Sequence, residues 1–352
     1  MKRVLIIYPY YHHYRKEVFN ALSDKVDLTI LHSGKTLFSE VSSGIKFKEV
    51  LIPRYKIGPF TLRPSLHKYT KGYDYFIILS DIRWLNSILF FLFNYKKKKI
   101  ILWGNWFTKS KIANNIRLFL SKRSFSNIFY HQNTKNQFVK SGINETKCFV
   151  ANNTIHVNQD LLNINQTKNK ILVVGSLNNR KRIDLLIKSF LKIHDLIPDV
   201  TLEVIGSGDQ LEFLKNLAGN NEKIIFHGRI DDKQILSEFY NKAICEVSPM
   251  QAGLSVLQSL GFGVPFITHK NAITGAELYN IIDGFNGFLF DSYKNNLDNI
   301  ILNLCQNEKL INKMSYNAKK YYNSFCTNDN MVNGFIDSIN LSKTAKIDQN
   351  NY

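Results

Sequence analysis

Acidic residues are scarce in the first half of this 352-residue chain. Residues 1–164 hold 9 Asp and Glu against 26 Lys and Arg, a surplus of 17, whereas residues 165–352 hold 19 against 20, a surplus of 1. Nearly all of the formal charge of +18 therefore belongs to one half. Such a surplus points to an anionic partner on that half: an anionic membrane surface, a lipid diphosphate or a nucleic acid. A Lys- and Asn-rich composition that serves only solubility is the plainer account. No nucleic-acid-binding motif accompanies the charge, so no nucleic-acid partner is expected.

Cysteine is equally sparse. Cys148, Cys245, Cys305 and Cys326 are far apart, without a C-x-x-C pair or a histidine at ligand spacing. This excludes a disulfide framework and a structural zinc site, and fits a reducing, cytoplasmic compartment. No Asp-x-Asp motif offers a divalent-cation site either, so neither metal nor cofactor is expected. Long apolar runs are missing as well. Trp84 to Phe93 is about half of what a spanning helix needs, and Asn86 and Ser87 interrupt it. Val4 to Tyr8 is too short for the core of a signal peptide and reads as a first strand.

What is present is a globular composition, 44% apolar and 13% aromatic, in a chain long enough for two domains. Short apolar runs without alternation, at Val4–Tyr8, Val26–Leu31, Tyr75–Leu79 and Ile100–Trp103, read as buried parallel strands. Helical segments near Arg15–Leu22, Leu85–Tyr95 and Ile112–Lys122 separate them. A second series follows the polar stretch Asn163–Lys170: strands at Ile171–Gly175, Thr201–Ile205, Ile224–His227 and Ala243–Val247, with a helix at Ile183–His194. Alternating strands and helices predict two doubly wound α/β domains in tandem. The expected division is 1–164, 165–328, and a helix within 329–352 crossing back to the first domain before a disordered tail. The lysine run Lys96–Lys99 is either a solvated helix end or, with the aromatic helix before it, a membrane-interface element.

In open α/β sheets ligands bind outside the C-terminal strand ends. Four loops there carry chemistry: Tyr8–Arg15, Trp103–Trp106, Gly175–Arg182 and Ser248–Gly253. A cleft between the domains would let them meet. The last leads into a helix beginning at Gly253-Leu254, whose free N–H groups and positive dipole end suit a phosphate.

The residues from Lys170 to Phe290 resemble family 4 of the retaining nucleotide-sugar glycosyltransferases, which have the GT-B fold of two Rossmann-like domains facing a central cleft. Gly175-Ser176-Leu177-Asn178-Asn179-Arg180-Lys181-Arg182-Ile183-Asp184-Leu185-Leu186 corresponds to the family's G-R-L-x-x-x-K-G-x-D-x-L-L. Val204-Ile205-Gly206-Ser207-Gly208, Phe226-His227-Gly228 and Asp283-Gly284-Phe285-Asn286-Gly287-Phe288-Leu289 match three later motifs in order. The N-terminal half resembles the family only loosely.

Three departures stand out. The family's paired glutamates, with seven residues between them, are here Met250 and Gln258. Gln258 can still hydrogen-bond a ribose, whereas Met250 has no useful donor or acceptor for a sugar. The family's arginine after the first glycine is Ser176, with Arg180 or Arg182 available to supply a guanidinium. In Trp103-Gly104-Asn105-Trp106, which resembles a W-G-H-G turn, Asn105 replaces a histidine near the transferred sugar.

The resemblance implies a metal-independent glycosyltransferase. It would move a sugar from a nucleotide sugar to a glycan or polyprenyl-diphosphate-linked acceptor, with retention, in cell-surface polysaccharide or lipopolysaccharide synthesis at the inner face of the cell membrane. Lys181, His13 and Asn105 are the catalytic candidates. Gly175, Ser176, Arg180, Lys181, Met250, Gln251, Ala252, Gly253, Leu254, Gln258 and Glu277 would bind the donor, although Glu277 could instead fix its loop. His12, Arg15 and Trp106 would bind the acceptor. The other reading is a non-catalytic GT-B protein that binds a glycan or a partner enzyme.

Overall fold

The computed structural model describes residues 1–163, 166–291 and 296–342. The expected boundary at 164/165 and the expected disordered tail fall on positions outside the described residues. Two compact units make up the chain: residues 1–154 joined by the segment from Thr327, and residues 155–326.

In the first unit, nine strands run β1 (Arg3–Ile7), β2 (Asp27–His32), β3 (Lys48–Leu51), β4 (Tyr55–Ile57), β5 (Phe60–Leu62), β6 (Tyr75–Leu79), β7 (Lys99–Trp103), β8 (Ser126–Phe129) and β9 (Cys148–Val150) among the described residues. Seven form a parallel sheet in the order β3-β2-β1-β6-β7-β8-β9. The chain therefore reverses its winding between β1 and β6, a topological switch point. Apolar runs such as Val4–Ile7, all buried, form strands because both sheet faces are covered. Helices α1 (Lys16–Ser23), α2 (Phe38–Val41), α3 (Leu85–Asn94), α4 (Lys111–Arg123) and α5 (Gln132–Lys140) fill the connections. The strands β4 and β5 form an antiparallel hairpin with Tyr55 opposite Leu62. No alternation marks this exposed hairpin, and the sequence reading left it out.

The C-terminal helix, Asn328–Asn340, completes this unit. It packs on α1, β8 and β9. Its Gly334 lies where a Cβ would come 2.4 Å from the Val150 carbonyl oxygen, so backbone meets backbone. Phe335 sets its ring against Trp103 with centroids 4.9 Å apart.

The second unit holds a six-stranded parallel sheet. Its strands are β10 (Lys170–Val174), β11 (Thr201–Ile205), β12 (Ile224–Gly228), β13 (Ala243–Val247), β15 (Phe266–His269) and β17 (Gly287–Phe290), in the order β12-β11-β10-β13-β15-β17. Two short strands, β14 (Gln251–Ala252) and β16 (Ile273–Thr274), pair beside it. Helices α6 (Ile183–Ile193), α7 (Leu211–Ala218), α8 (Lys233–Asn241), α9 (Leu254–Gly261), α10 (Leu297–Cys305) and α11 (Glu308–Phe325) cover the sheet. On α6, Ile183, Leu186, Ile187, Phe190 and Ile193 recur at helical spacing and are all buried in the core.

Among the described residues no helix is long and apolar enough to cross a membrane. The aromatic helix α3 both packs and faces out: Phe90 and Phe91 are buried, while Leu89, Leu92 and Phe93 are exposed.

Candidate functional site

In the second unit, three loops at the C-terminal strand ends lock together. β10 ends at Gly175, whose φ of +111° favours glycine. A Cβ on Gly175 would meet Lys181 Nζ at 2.9 Å, and one on Gly206 would sit 1.9 Å from the Gly175 carbonyl oxygen. One on Gly208 would sit 2.3 Å from the oxygen of Leu177. Leu177 N also donates to Ser207 O at 2.9 Å. The glycines in the Gly206-Ser207-Gly208 turn are thus required by close backbone approach, and that turn fixes the first loop.

Lys181 lies inside this arrangement, 7% exposed, with Nζ donating to Val174 O at 2.7 Å. Its carbonyl accepts from Met250 N at 3.1 Å, which ties the loop after β13 to the loop after β10. Burial presses the Lys181 ammonium down from its ordinary value, and the Glu246 carboxylate opposes that shift. Glu246, on β13, is wholly buried; burial raises its pKa, against the Tyr240 hydroxyl that donates to Oε2 at 2.8 Å. Sequence reading passed over Glu246, although an acid inside the apolar run Ala243–Val247 is a visible signal.

The segment expected as plain loop before the helix contains β14. Gln251 pairs with Ile273 and Ala252 with Thr274, and Met250 O accepts from Ile273 N at 2.8 Å. This brings Gln251 and Ala252 to the strand that precedes Glu277. Glu277 is buried, and its Oε2 accepts from Gly275 N at 3.1 Å, so the carboxylate fixes its own loop. The adjoining Ala276 has φ +142°, a strained value for a residue with a side chain.

Gly253 caps α9 with no side-chain hydrogen bond, and a Cβ there would meet nothing within 4 Å. The first-turn N–H groups of α9 therefore have no side-chain cap. Gln258, one turn into α9, is half-buried. Gln251 Oε1 is buried without a hydrogen-bond partner.

Ser176 and Arg180 are exposed on the first loop. Arg182 adopts a left-handed conformation, φ +53°, and pairs with Asp184 at 2.9 Å. Beside these residues a recess of about 230 Å³ is lined by Val174, Gly175, Ser176, Gly206, Ser207 and Arg229.

In the first unit the candidates gather at the ends of β1 and β7. His12 and His13 are exposed; the His12 ring stacks on Tyr14 at 5.4 Å, and burial, then the Arg15 charge, lower its pKa. Arg15, expected to face the acceptor, is instead internal at 1% exposure. Its guanidinium donates to Asn153 Oδ1 and lies 5.3 Å from the Trp103 ring centroid. It holds the loop rather than presenting a free charge. Asn105 is buried, with Nδ2 donating to Asn127 at 3.2 Å and Oδ1 without a hydrogen-bond partner. Trp106 is half-buried under the Arg117 guanidinium, 5.3 Å from its ring centroid.

Comparison with known proteins agrees with this geometry. Residues 156–321 match the family described as Glycosyl transferases group 1. An uncharacterized glycosyltransferase of Methanocaldococcus jannaschii is 28% identical over 283 residues, 70% of each chain. The poly(glycerol-phosphate) alpha-glucosyltransferase of Bacillus subtilis is 25% identical over 199 residues, 54% of this chain and 29% of that one. The chain thus spans less than a third of the Bacillus protein. The crystal structure of Anabaena HepE in complex with UDP superposes with a TM-score of 0.72 at 14% identity, covering 97% of this chain and all of that one. The fold is GT-B, with two Rossmann-like domains, and the chain is a glycosyltransferase enzyme.

Proposed function

We propose that the second unit binds a nucleotide sugar and that the enzyme transfers the sugar, with retention, to a glycan or lipid-linked saccharide in cell-surface polysaccharide synthesis. The observation that carries this reading is the interlocked loop set, in which Lys181 lies under the Gly175 turn and is tied to Met250. A donor diphosphate at the α9 N-terminus would receive the first-turn N–H groups and the Lys181 charge. Both stabilise the negative charge that grows as the sugar departs. In the proposed step the bond from sugar C1 to the diphosphate oxygen breaks and the acceptor hydroxyl oxygen bonds to C1 on the same face. The hydroxyl proton passes to the leaving diphosphate.

Met250 offers no carboxylate to the donor sugar, and the buried Gln251 amide oxygen without a partner beside it takes over that contact. Gln258 serves the ribose, with Gly175, Ser176, Arg180, Ala252, Gly253 and Leu254 completing the donor site around it. His13, Asn105, His12 and Trp106 serve the acceptor half, with Arg15 in a positioning role. Exposed Leu92 and Phe93 on α3, near the Lys96–Lys99 run, suit docking on an anionic membrane. Anionic rather than neutral liposomes would then sediment the protein in a salt-sensitive manner.

A binding-only role is the second reading, favoured by Met250 and Gln258 at the two carboxylate positions. Calorimetry with UDP, GDP and dTDP, followed by transfer and donor-hydrolysis assays with their sugars, separates the two. Nucleotide binding with turnover supports the enzyme; no binding of any nucleotide overturns the donor site and favours the second reading.

A further inference from the structure

Buried arginines are rare unless paired, because an uncompensated charge in a low-dielectric interior is costly. Besides Arg15, the first unit buries two. Arg63, 5% exposed, follows β5; its Nη2 donates to the carbonyl oxygens of Tyr8 and Pro9, and its guanidinium stacks 4.0 Å from the Trp84 ring centroid. It thereby spans the loops that follow β1 and β6. Arg117, 4% exposed on α4, reaches Thr108 Oγ1 at 3.3 Å and Asn114 Oδ1 at 3.4 Å. Neither makes an ion pair among the described residues, and Nε of each is buried without a hydrogen-bond partner.

Two further guanidiniums surround them. Arg54 lies 4.4 Å from the Tyr10 ring centroid, and Tyr10 meets Trp84 edge-on at 5.7 Å. Burial, and then the Arg54 charge, press Arg63 down to about 9. Burial also lowers Arg117, which feels Asp81 and Arg83. Asp81 is already taken by Arg83, Nη2 to Oδ2 at 2.7 Å. The carboxylate that Arg117 feels is thus committed elsewhere, while Arg54 and Arg63 share the Tyr10–Trp84 ring pair. The backbone is held to suit: Thr61 N donates to Arg83 O at 2.8 Å, and Arg63 N to Asn86 Oδ1 at 2.8 Å.

We infer that this C-terminal edge of β1, β6 and β7 is an oxyanion subsite, in which Arg63 and Arg117, with Arg83 at the rim, take an anionic group of the acceptor, phosphate or carboxylate. The inference rests on the reading of the first unit as the acceptor half. It explains why buried cations lie where an α/β sheet binds ligands and why Arg63 and Arg117 make no ion pair among the described residues. Guanidinium forks match both oxyanions, and Tyr10, Trp84 and Trp106 offer flat faces to the sugar or lipid that carries the charge.

The test uses the full chain saturated with UDP, so that the donor half does not compete for anions. Pyrophosphate, phenyl phosphate, glucuronate and, as neutral control, methyl glucoside are titrated and followed by calorimetry and thermal shift. Wild type is expected to bind at least one oxyanion and to ignore the methyl glucoside. Preference for the phosphates or for glucuronate tells which anion the acceptor bears. Arg63→Gln and Arg117→Gln should each weaken that binding about 10-fold or more, and without anion each should melt no lower than wild type. Should Arg63→Gln fail to fold, Arg117→Lys, which keeps the charge but loses the fork, should still weaken binding.

Equal oxyanion binding by wild type and variants, or none by wild type, overturns the subsite. So does a large drop in melting temperature for both Gln variants with anion affinity unchanged, since that marks structural clamps. If UDP itself does not bind, the donor assignment falls, while the same titrations without UDP still decide the subsite.

Discussion

The two Rossmann-like units share an architecture and handle buried charge in opposite ways. In the second unit the buried Glu203 is answered from within. Glu203, 0% exposed on β11, is paired with Lys170 on the neighbouring strand, meets His227 Nε2 and accepts from Thr201 Oγ1 at 2.7 Å. Burial works against its ionised form, but those three partners hold the carboxyl below its usual value. In the first unit Asp81 and Lys135 are paired likewise, with Arg83 and Glu145, but the buried arginines Arg15, Arg63 and Arg117 lean on carbonyls, amides, hydroxyls and aromatic rings. Glu203 is neutralised within its own unit, whereas these arginines make no ion pair among the described residues.

The sharpest way to break the second unit is at its backbone contact. Gly206→Ala would drive a Cβ against the Gly175 carbonyl, where no flexible side chain can yield. It should cost about 3 kcal/mol of stability and abolish UDP binding in calorimetry. The matching change in the first unit, Gly104→Ala, meets the Tyr130 ring at 2.9 Å, and a ring can swing. It should cost about half as much and leave UDP affinity at the wild-type value. Equal loss of UDP binding in both would erase the contrast.

Lys181→Ala comes next, with about a 100-fold loss in turnover from a missing charge on the leaving diphosphate. Retention of full kcat/KM in that variant would remove Lys181 from catalysis.

Two buried groups, one in each unit, should also differ in the sign of their pH response. Burial pushes His131, 4% exposed in the first unit, down to about 4 from an unfolded value of 6.5. The unfolded chain binds the extra proton between those values, so stability is full above pH 6.5 and falls as pH drops towards 4. By pH 5 the loss is about 2 kcal/mol. Glu246, raised by burial in the second unit, has the opposite sign: its contribution is complete below the unfolded carboxyl value and is lost as pH rises through its folded one. Denaturant melts of His131→Asn should lose the acid slope, since asparagine keeps the helix-capping acceptor for Asn133 N. An unchanged slope would exclude His131.

Arg182→Gly should have the smallest effect. Glycine relieves the left-handed backbone but gives up the partly exposed Asp184 pair, so the two nearly cancel and stability should stay within about 0.5 kcal/mol.

How far the sequence could be read follows the same division. Ile171–Gly175 and Thr201–Ile205 were legible as strands because buried parallel strands are uninterrupted apolar runs. The glycines at 175, 206 and 208 were legible because close backbone approach leaves no other choice. The β14 strand was not, since two residues become a strand only when Ile273 and Thr274 arrive from elsewhere in the chain. Arg63 and Arg117 were invisible for a related reason. An arginine reads as surface until the fold encloses it, and enclosure is a property of neighbours distant in sequence. Arg15 shows the converse: its place after β1 was right for a ligand contact, but the C-terminal helix covers it through Met331.

That helix sets an order of events. During synthesis, residues 155–326 are all available before Asn328–Asn340 has emerged, whereas the sheet of residues 1–154 waits for Met331, Gly334 and Phe335 to cover its face. The half of the enzyme that is written first is therefore the half that is finished last, and a ribosome that stops near residue 326 releases a complete second unit and a first unit with its core exposed.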